Sequence, residues 1–143
     1  MIPIASPRLV LIEDNPADVL LIREAIRNRG LSIDLVSYSD VPDAIAALFD
    51  SATPVPDAIL LDLNLPKGDG ISVIETVRGS IRLQAVPMGI LTSSESPRDL
   101  DRARQLNVAC YINKPSTLDE FLSKVGDAVS DLLARRRQAE ASS

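Results

Sequence analysis

Histidine is absent from the 143 residues of this chain. Its absence removes the commonest general base, the commonest transition-metal ligand and any Ser-His or Cys-His nucleophile pair. Any chemistry must therefore depend on carboxylates, hydroxyls and lysine. Tryptophan is also absent and only 3% of the residues are aromatic, so the core must be built from Ile, Leu, Val and Ala. That composition is typical of helices packed on a parallel sheet.

Other absences limit the cellular location of the protein and the classes of partner that it can bind. The single cysteine, Cys110, cannot form an internal disulfide, which favours a reduced, cytoplasmic location. No apolar run approaches the roughly 20 residues that cross a bilayer, and the first residues lack the pattern of a signal peptide. The formal net charge of −5 argues against a nucleic-acid partner, because nucleic-acid binding depends on basic contacts to phosphates. We expect neither a nucleic-acid nor a membrane partner.

The length and the 45% hydrophobic content fit a single domain that spans residues 1–143. Its core should cover about residues 8–133, between a short N-terminal arm and a C-terminal tail that frays from Ala139 to Ser143. A separate output domain would have no room.

Five short apolar runs alternate along the chain with five segments of helical spacing, several of which open on proline or an acid. The predicted strands are Leu9–Ile12, Ile33–Val36, Ala58–Leu61, Val86–Leu91 and Val108–Ile112. This alternation implies right-handed crossovers and an α/β fold with helices on both faces of a doubly wound sheet. The order 2-1-3-4-5 fits the length, so we predict a flavodoxin-like sheet of five parallel strands.

Polar residues follow four of these predicted strands. In an open parallel sheet the carboxyl ends of the strands form the edge that binds ligands, and the switch point of this topology lies between strands one and three. Glu13, Asp14 and Asp62 should therefore meet at this edge, with Thr92 and Lys114 beside them.

Three carboxylates at one edge repel one another unless a cation intervenes. Oxygen ligands without His or Cys select a hard ion, and a small one that keeps several waters indicates Mg²⁺. Beside such an ion Asp62 would be the nucleophile that forms an acyl phosphate, while Lys114 would neutralise phosphoryl oxygens and Thr92 would donate a hydrogen bond.

Each of these residues also has a purely structural interpretation. Glu13 and Asp14 could stabilise a helix N-terminus, Thr92 could cap the next turn, and Lys114 could be an ordinary surface cation. A purely structural account requires all of these interpretations to be true at the same time for residues at one sheet edge. Their shared location therefore favours a common functional site.

The sequence resembles the receiver domains of two-component response regulators from Leu9 to about Leu133. The matching segments are Glu13-Asp14, Asp62 to Pro66, Asp69-Gly70, Thr92-Ser93 and Lys114-Pro115. The resemblance implies that Asp62 accepts a phosphoryl group from the phosphohistidine of a sensor histidine kinase, and that the chain is a phosphoacceptor rather than an enzyme. The metal ligands that it implies are Glu13, Asp14, Asp62 and the backbone carbonyl of Asn64.

The resemblance also implies several finer features. Tyr111 matches the switch aromatic that moves inward as Thr92 is drawn to the phosphate, and the bond between Lys114 and Pro115 would be cis. The side chains of Asn64 and Ser94 match positions that tune the lifetime of the acyl phosphate.

One departure from the family pattern lies in the fourth strand. Gly89 occupies a position where the family usually has a β-branched residue, which would loosen the packing there.

Three segments resemble one subgroup of the receiver family in particular. The segments from Glu13 to Asp18, from Asp62 to Pro66 and from Thr92 to Ser94 look most like the stand-alone regulators paired with bacterial phytochrome kinases. This narrower resemblance implies a phytochrome kinase as the phosphoryl donor, and an output through the binding of a partner or of a second copy.

The last helix carries the apolar residues Val129, Leu132 and Leu133 beyond its expected core stripe. They indicate a homodimer through the fourth and fifth helices. Alternatively, they complete the stripe on the sheet.

Two other classes of function stay open. A metal-dependent phosphatase or phosphomutase also uses an aspartyl phosphate, but such enzymes generally place an acid two residues after the nucleophile, where this chain has Asn64. An adaptor that keeps the receiver fold for docking alone would not need the complete set of acids, hydroxyl and lysine.

Overall fold

The computed structural model describes residues 6–142, in which five strands alternate with five helices. The strands are β1 (Arg8–Ile12), β2 (Asp34–Tyr38), β3 (Ala58–Leu61), β4 (Met88–Thr92) and β5 (Cys110–Asn113). The helices are α1 (Pro16–Asn28), α2 (Val41–Leu48), α3 (Gly70–Arg78), α4 (Pro97–Gln105) and α5 (Leu118–Ser142). No helix in this part of the chain combines the length and the apolar character needed to span a membrane.

The strands form one parallel sheet in the order β2-β1-β3-β4-β5, which confirms the predicted fold. Side chains alternate across the sheet, as the two-residue period of a strand requires. Val10 and Ile12 of β1 belong to the core that contains α2, α3 and α4, whereas Leu9 and Leu11 belong to the core that contains α1 and α5. Because both faces are covered, all four residues of β3 are buried.

Two of the observed strands, β4 and β5, begin further along the chain than the apolar runs indicate. β4 begins at Met88 rather than Val86, and β5 begins at Cys110 rather than Val108. Val86 is only 1% exposed because it packs into the core before the strand begins. For these two strands the apolar run begins before the pairing between strands does.

Helices α1 to α4 each begin on a side chain that accepts a backbone N–H, as a stable N-terminus requires. The capping residues are Asn15, Asp40, Asp69 and Ser96. At α5, Thr117 accepts from the backbone N–H of Glu120 at 3.3 Å, as the capping-box pattern indicates. These caps fix the loops at the carboxyl edge of the sheet.

The structure overturns one expectation about the chain near α5. Lys114–Pro115 is not cis, because no cis peptide bond occurs among the described residues; the trans form is the favoured one by about 0.5–1 kcal/mol even before proline. Helix α5 continues to Ser142, past the point at Ala139 where fraying is predicted, and Ser143 lies outside the described residues. The fraying itself stays a prediction. The predicted N-terminal arm falls largely on residues 1–5, which also lie outside them.

The apolar residues at the end of the α5 stripe are core residues of this chain. Val129 and Leu132 are 0% exposed and Leu133 is 4% exposed, because α5 lies along the sheet against α1. Of the two interpretations of these residues, the one that completes the stripe on the sheet is therefore correct. Because these three side chains are buried, they cannot supply an apolar surface for a second copy.

Gly89 does not loosen the fourth strand. A Cβ placed on it would lie 2.7 Å from Sγ of Cys110 and 3.2 Å from Cδ1 of Leu132. The space that a β-branched residue would occupy is filled by these two side chains, so the expected weakness in packing is wrong. Cys110 on β5 substitutes for the missing side chain of β4.

Arg78, at the end of α3, is bound entirely by backbone. Its guanidinium donates to four carbonyl oxygens at 2.7 to 3.2 Å, those of Gln84, Val86, Leu106 and Asn107. Burial lowers the pKa of this guanidinium, and the four acceptors satisfy four of its five N–H donors. The residue joins the end of α3 to the segment before β4 and to the turn after α4, at the edge of the sheet opposite the predicted site.

Candidate functional site

Asp62 follows the last residue of β3 and is fixed there by its backbone. Its N–H donates to the carbonyl of Ile12 at 3.0 Å, and its side chain is only 6% exposed. The chain then turns back so closely that the N–H of Gly70 donates to the carbonyl of Leu63 at 2.9 Å. A Cβ on Gly70 would lie 2.5 Å from the carbonyl oxygen of Asp62, so only glycine fits at the start of α3.

The Asp62 carboxylate accepts three hydrogen bonds. Oδ1 accepts from Oγ1 of Thr92 at 2.7 Å and from the N–H of Asn64 at 3.1 Å. Oδ2 accepts from Nζ of Lys114 at 2.9 Å. Thr92 is the last residue of β4, and Lys114 directly follows β5. The structure therefore brings both side chains to the carboxylate from neighbouring strands.

Glu13 and Asp14 complete an acidic cluster with Asp62. One carboxylate oxygen from each lies within 4.8 Å of the other two, and Asp14 is the exposed member. Burial raises the pKa of Glu13, although hydrogen bonds from Lys114 and from the N–H of Asn15 oppose that shift. A set of close oxygens without nitrogen or sulfur fits a hard divalent cation such as Mg²⁺.

Lys114 donates to three carboxylates at once. Its Nζ lies 2.8 Å from Oε1 of Glu13, 2.8 Å from Oδ2 of Asp18 and 2.9 Å from Oδ2 of Asp62. Burial disfavours the ammonium, but the hydrogen bonds to Asp18, Glu13 and Asp62 outweigh it and raise the pKa of Lys114. The lysine therefore stays charged inside the cluster.

Sequence reasoning missed Asp18. It lies in the first turn of α1, where an acid stabilises the helix dipole, and that interpretation needed no further partner. The available signal was its place four residues after Asp14, in a helix that opens at the ligand edge of the sheet. Its contact with Lys114 joins residues 96 positions apart, which no local spacing reveals.

A second set of hydrogen bonds leads away from the carboxylate toward α4. The N–H of Ser94 donates to Oγ1 of Thr92 at 3.2 Å, and Oγ of Ser94 donates to Oδ2 of Asp99 at 2.8 Å. The hydroxyl of Tyr111 donates to the carbonyl of Ser94 at 3.4 Å. Ser94 thus connects the hydroxyl that touches Asp62 both to α4 and to the aromatic ring on β5.

Tyr111 and Ser94 also line a cavity of about 500 Å³ between β5 and the start of α4. Tyr111 reaches Ser94 rather than Thr92, and it is only partly buried. Burial raises the pKa of its phenol, so the ring stays neutral at physiological pH.

Comparison with known proteins agrees with this geometry. Residues 9–126 match the family described as the response regulator receiver domain. The chain is 32% identical over 121 residues to the response regulator Rcp1 of Synechocystis sp., a match that covers 82% of each protein.

Two solved structures are similar over most of their length. The Mn²⁺-bound form of Rcp1 has a TM-score of 0.83 and 31% identity, and the match covers 89% of this chain and 94% of that one. The phosphorylated cyanobacterial phytochrome response regulator RcpA has a TM-score of 0.79 and 35% identity, over 87% of this chain and 91% of that one.

Proposed function

Because the chain belongs to the response regulator receiver family, we propose that it is a switch in which Asp62 accepts a phosphoryl group from a sensor histidine kinase. The observation that carries the proposal is the set of contacts at Asp62. Its carboxylate lies within hydrogen-bond distance of Thr92 and Lys114, and it shares an acidic cluster with Glu13 and Asp14. Few other functions need a nucleophile, a cation site, a hydroxyl and a lysine at one point.

In the transfer step a carboxylate oxygen of Asp62 attacks the phosphorus of a phosphohistidine. The new O–P bond forms as the P–N bond breaks, and the imidazole leaves as a neutral group with the bonding electron pair when its second nitrogen carries a proton. Lys114 and Thr92 then shift their hydrogen bonds from the Asp62 carboxylate to the phosphoryl oxygens.

The residues that would hold Mg²⁺ are Glu13, Asp14, Asp62 and the backbone carbonyl of Asn64. When bound, the ion would neutralise charge on the phosphoryl oxygens. The mutual closeness of the three carboxylates and the exposure of Asp14 to solvent support this assignment. The chain's own contribution is to keep the nucleophile, the lysine and the hydroxyl fixed around the acceptor oxygen.

The donor that we propose is a sensor kinase of the bacterial phytochrome type. RcpA is described as a phytochrome response regulator, and this chain is 35% identical to it. This sequence identity supports a phosphoryl donor related to the kinase of RcpA. The cytoplasmic location predicted from the sequence stays a prediction.

We place the output at α4 and the neighbouring strand β5. Phosphorylation would draw Thr92 toward the phosphate, and Ser94 links Thr92 both to Asp99 on α4 and to Tyr111 on β5. Two packings of this region would then differ in stability with and without phosphate, and a partner that binds one of them would read the signal. Tyr111 is the proposed switch residue.

A homodimer through α4 and α5 stays a prediction without its original support, since the apolar residues that suggested it are buried in the chain. Sedimentation with and without the phosphate mimic beryllofluoride tests it. An unchanged monomer in both conditions would leave binding of a different protein as the output.

The acceptor is tested with radiolabelled acetyl phosphate and Mg²⁺. Asp62→Asn should abolish acid-labile labelling, because the amide cannot form the acyl phosphate. Asp43→Asn, at an exposed position on α2, should label like the wild type. Labelling that persists in Asp62→Asn would contradict the assignment, and sustained turnover of phosphate monoesters would indicate a phosphatase instead.

A further inference from the structure

Asp18 contacts the lysine of the site but does not belong to the acidic cluster. Its Oδ2 lies 2.8 Å from Nζ of Lys114, and its side chain is 16% exposed. The three acids whose oxygens lie within 4.8 Å of one another are Glu13, Asp14 and Asp62. Asp18 is therefore a carboxylate that the lysine can use and that the cation site does not need.

The other two partners of the lysine are needed by the cation. An ammonium group has three N–H donors, and those of Lys114 are directed to Glu13, Asp18 and Asp62. A divalent cation in the cluster would take the oxygens of Glu13 and Asp62 and would repel the ammonium beside it. The cation and the lysine thus compete for the carboxylates of Glu13 and Asp62. Only the lysine uses the third carboxylate, that of Asp18.

We propose that Asp18 is a positioning residue that holds Lys114 at the site when a divalent cation takes Glu13 and Asp62. The inference rests on the proposed function, since it concerns the same cation site. With Asp18 present, the lysine gives up two hydrogen bonds and stays within reach of an arriving phosphoryl group. Without it, the ammonium keeps its hold on Glu13 and Asp62 and resists the cation.

The test is a calorimetric titration of the unphosphorylated chain with Mg²⁺. Asp18→Asn removes the charge and keeps the shape of the side chain. It should weaken Mg²⁺ binding about tenfold, because a nearby negative charge is lost and because the lysine stays on the metal ligands. In a Lys114→Met background the same substitution should weaken binding only about threefold, since only the loss of charge remains.

Two variants of α1 serve as controls. Glu24→Gln removes a half-exposed carboxylate further along the same helix and should leave the Mg²⁺ affinity within about twofold of the wild type. Asp18→Glu restores a carboxylate near the lysine and should recover most of the lost affinity. Thermal melting by circular dichroism verifies that each variant is folded, as expected for a partly exposed position in the first turn of a helix.

Two results would overturn the inference. One is an Mg²⁺ affinity of Asp18→Asn equal to that of the wild type. The other is an equal loss with and without Lys114, which would make Asp18 a fixed charge with no role through the lysine. Acetyl phosphate labelling of the wild type, measured in parallel, reports on the proposed function separately, because Mg²⁺ binding needs no phosphoryl transfer.

Discussion

Replacing Gly70 with alanine should force the start of α3 away from the strand end that carries Asp62. The new Cβ would lie 2.5 Å from the carbonyl oxygen of Asp62 and 2.8 Å from Cα of Leu63. Both are backbone atoms, so neither can move aside by changing a rotamer. The segment that must shift includes Asn64, whose carbonyl is a proposed ligand of Mg²⁺.

The size of the effect follows from two opposing terms. Overpacking of a tight contact costs about 1–3 kcal/mol, and a contact with backbone belongs at the upper end of that range. Alanine is better than glycine in a helix by about 0.5–1 kcal/mol, which offsets part of the cost. Gly70→Ala should therefore lower the free energy of unfolding by about 2 kcal/mol.

The other end of the same helix supplies the matched control. At Gly79 a Cβ would meet its nearest atom, the carbonyl oxygen of Glu75, at 3.4 Å, and φ is −82°. Gly79→Ala should therefore stabilise the chain by about 0.4–1 kcal/mol through the unfolded state.

Urea denaturation followed by circular dichroism measures both variants, since the chain has no tryptophan to report by fluorescence. A Gly70→Ala variant as stable as Gly79→Ala would refute the argument from close approach. The Mg²⁺ affinity of the folded Gly70→Ala variant should also fall, because Asn64 shifts with the turn.

Two further predictions use the same denaturation assay. Gly89→Ala should destabilise the chain by about 1–3 kcal/mol, because its Cβ would lie 2.7 Å from Sγ of Cys110. Adding Cys110→Ala should recover part of that loss, whereas strictly additive losses would contradict the proposed contact. Asn107 follows α4 with φ at 58°, so Asn107→Ala should cost about 1 kcal/mol. Asn107→Gly should be at least as stable as the wild type, and a stable alanine variant would count against backbone strain at this position.

Much of the fold could be predicted because the sheet is covered on both faces. A strand buried on both sides must be a continuous apolar run, so β1, β3 and β4 stand out in the sequence. Their order then follows from the handedness of the crossovers and from length. The same topology predicts that Thr92 and Lys114 lie beside Asp62, because all three residues follow or end parallel strands.

The missed features depend on contacts that local patterns do not encode. Asp18 and Arg78 are both ordinary charged residues near helix ends, where the dipole alone explains them. What distinguishes them is their partners, since Asp18 contacts Lys114 from another part of the chain and Arg78 contacts carbonyls from two loop segments. The burial of Val129 and Leu132 likewise depends on how far α5 extends over the sheet. Helical periodicity in the sequence does not determine that length.

The four carbonyls around Arg78 also limit how α4 can move. Two of them, from Leu106 and Asn107, lie just after the C-terminal end of α4, so that end is anchored to α3. The other end is attached to the site through the side chain of Ser94, which donates to Asp99 and accepts from the N–H of Ser96. A helix fixed at one end pivots and does not slide. Changes at Asp62 would therefore produce their largest displacement in the first turn of α4 and almost none at Asn107.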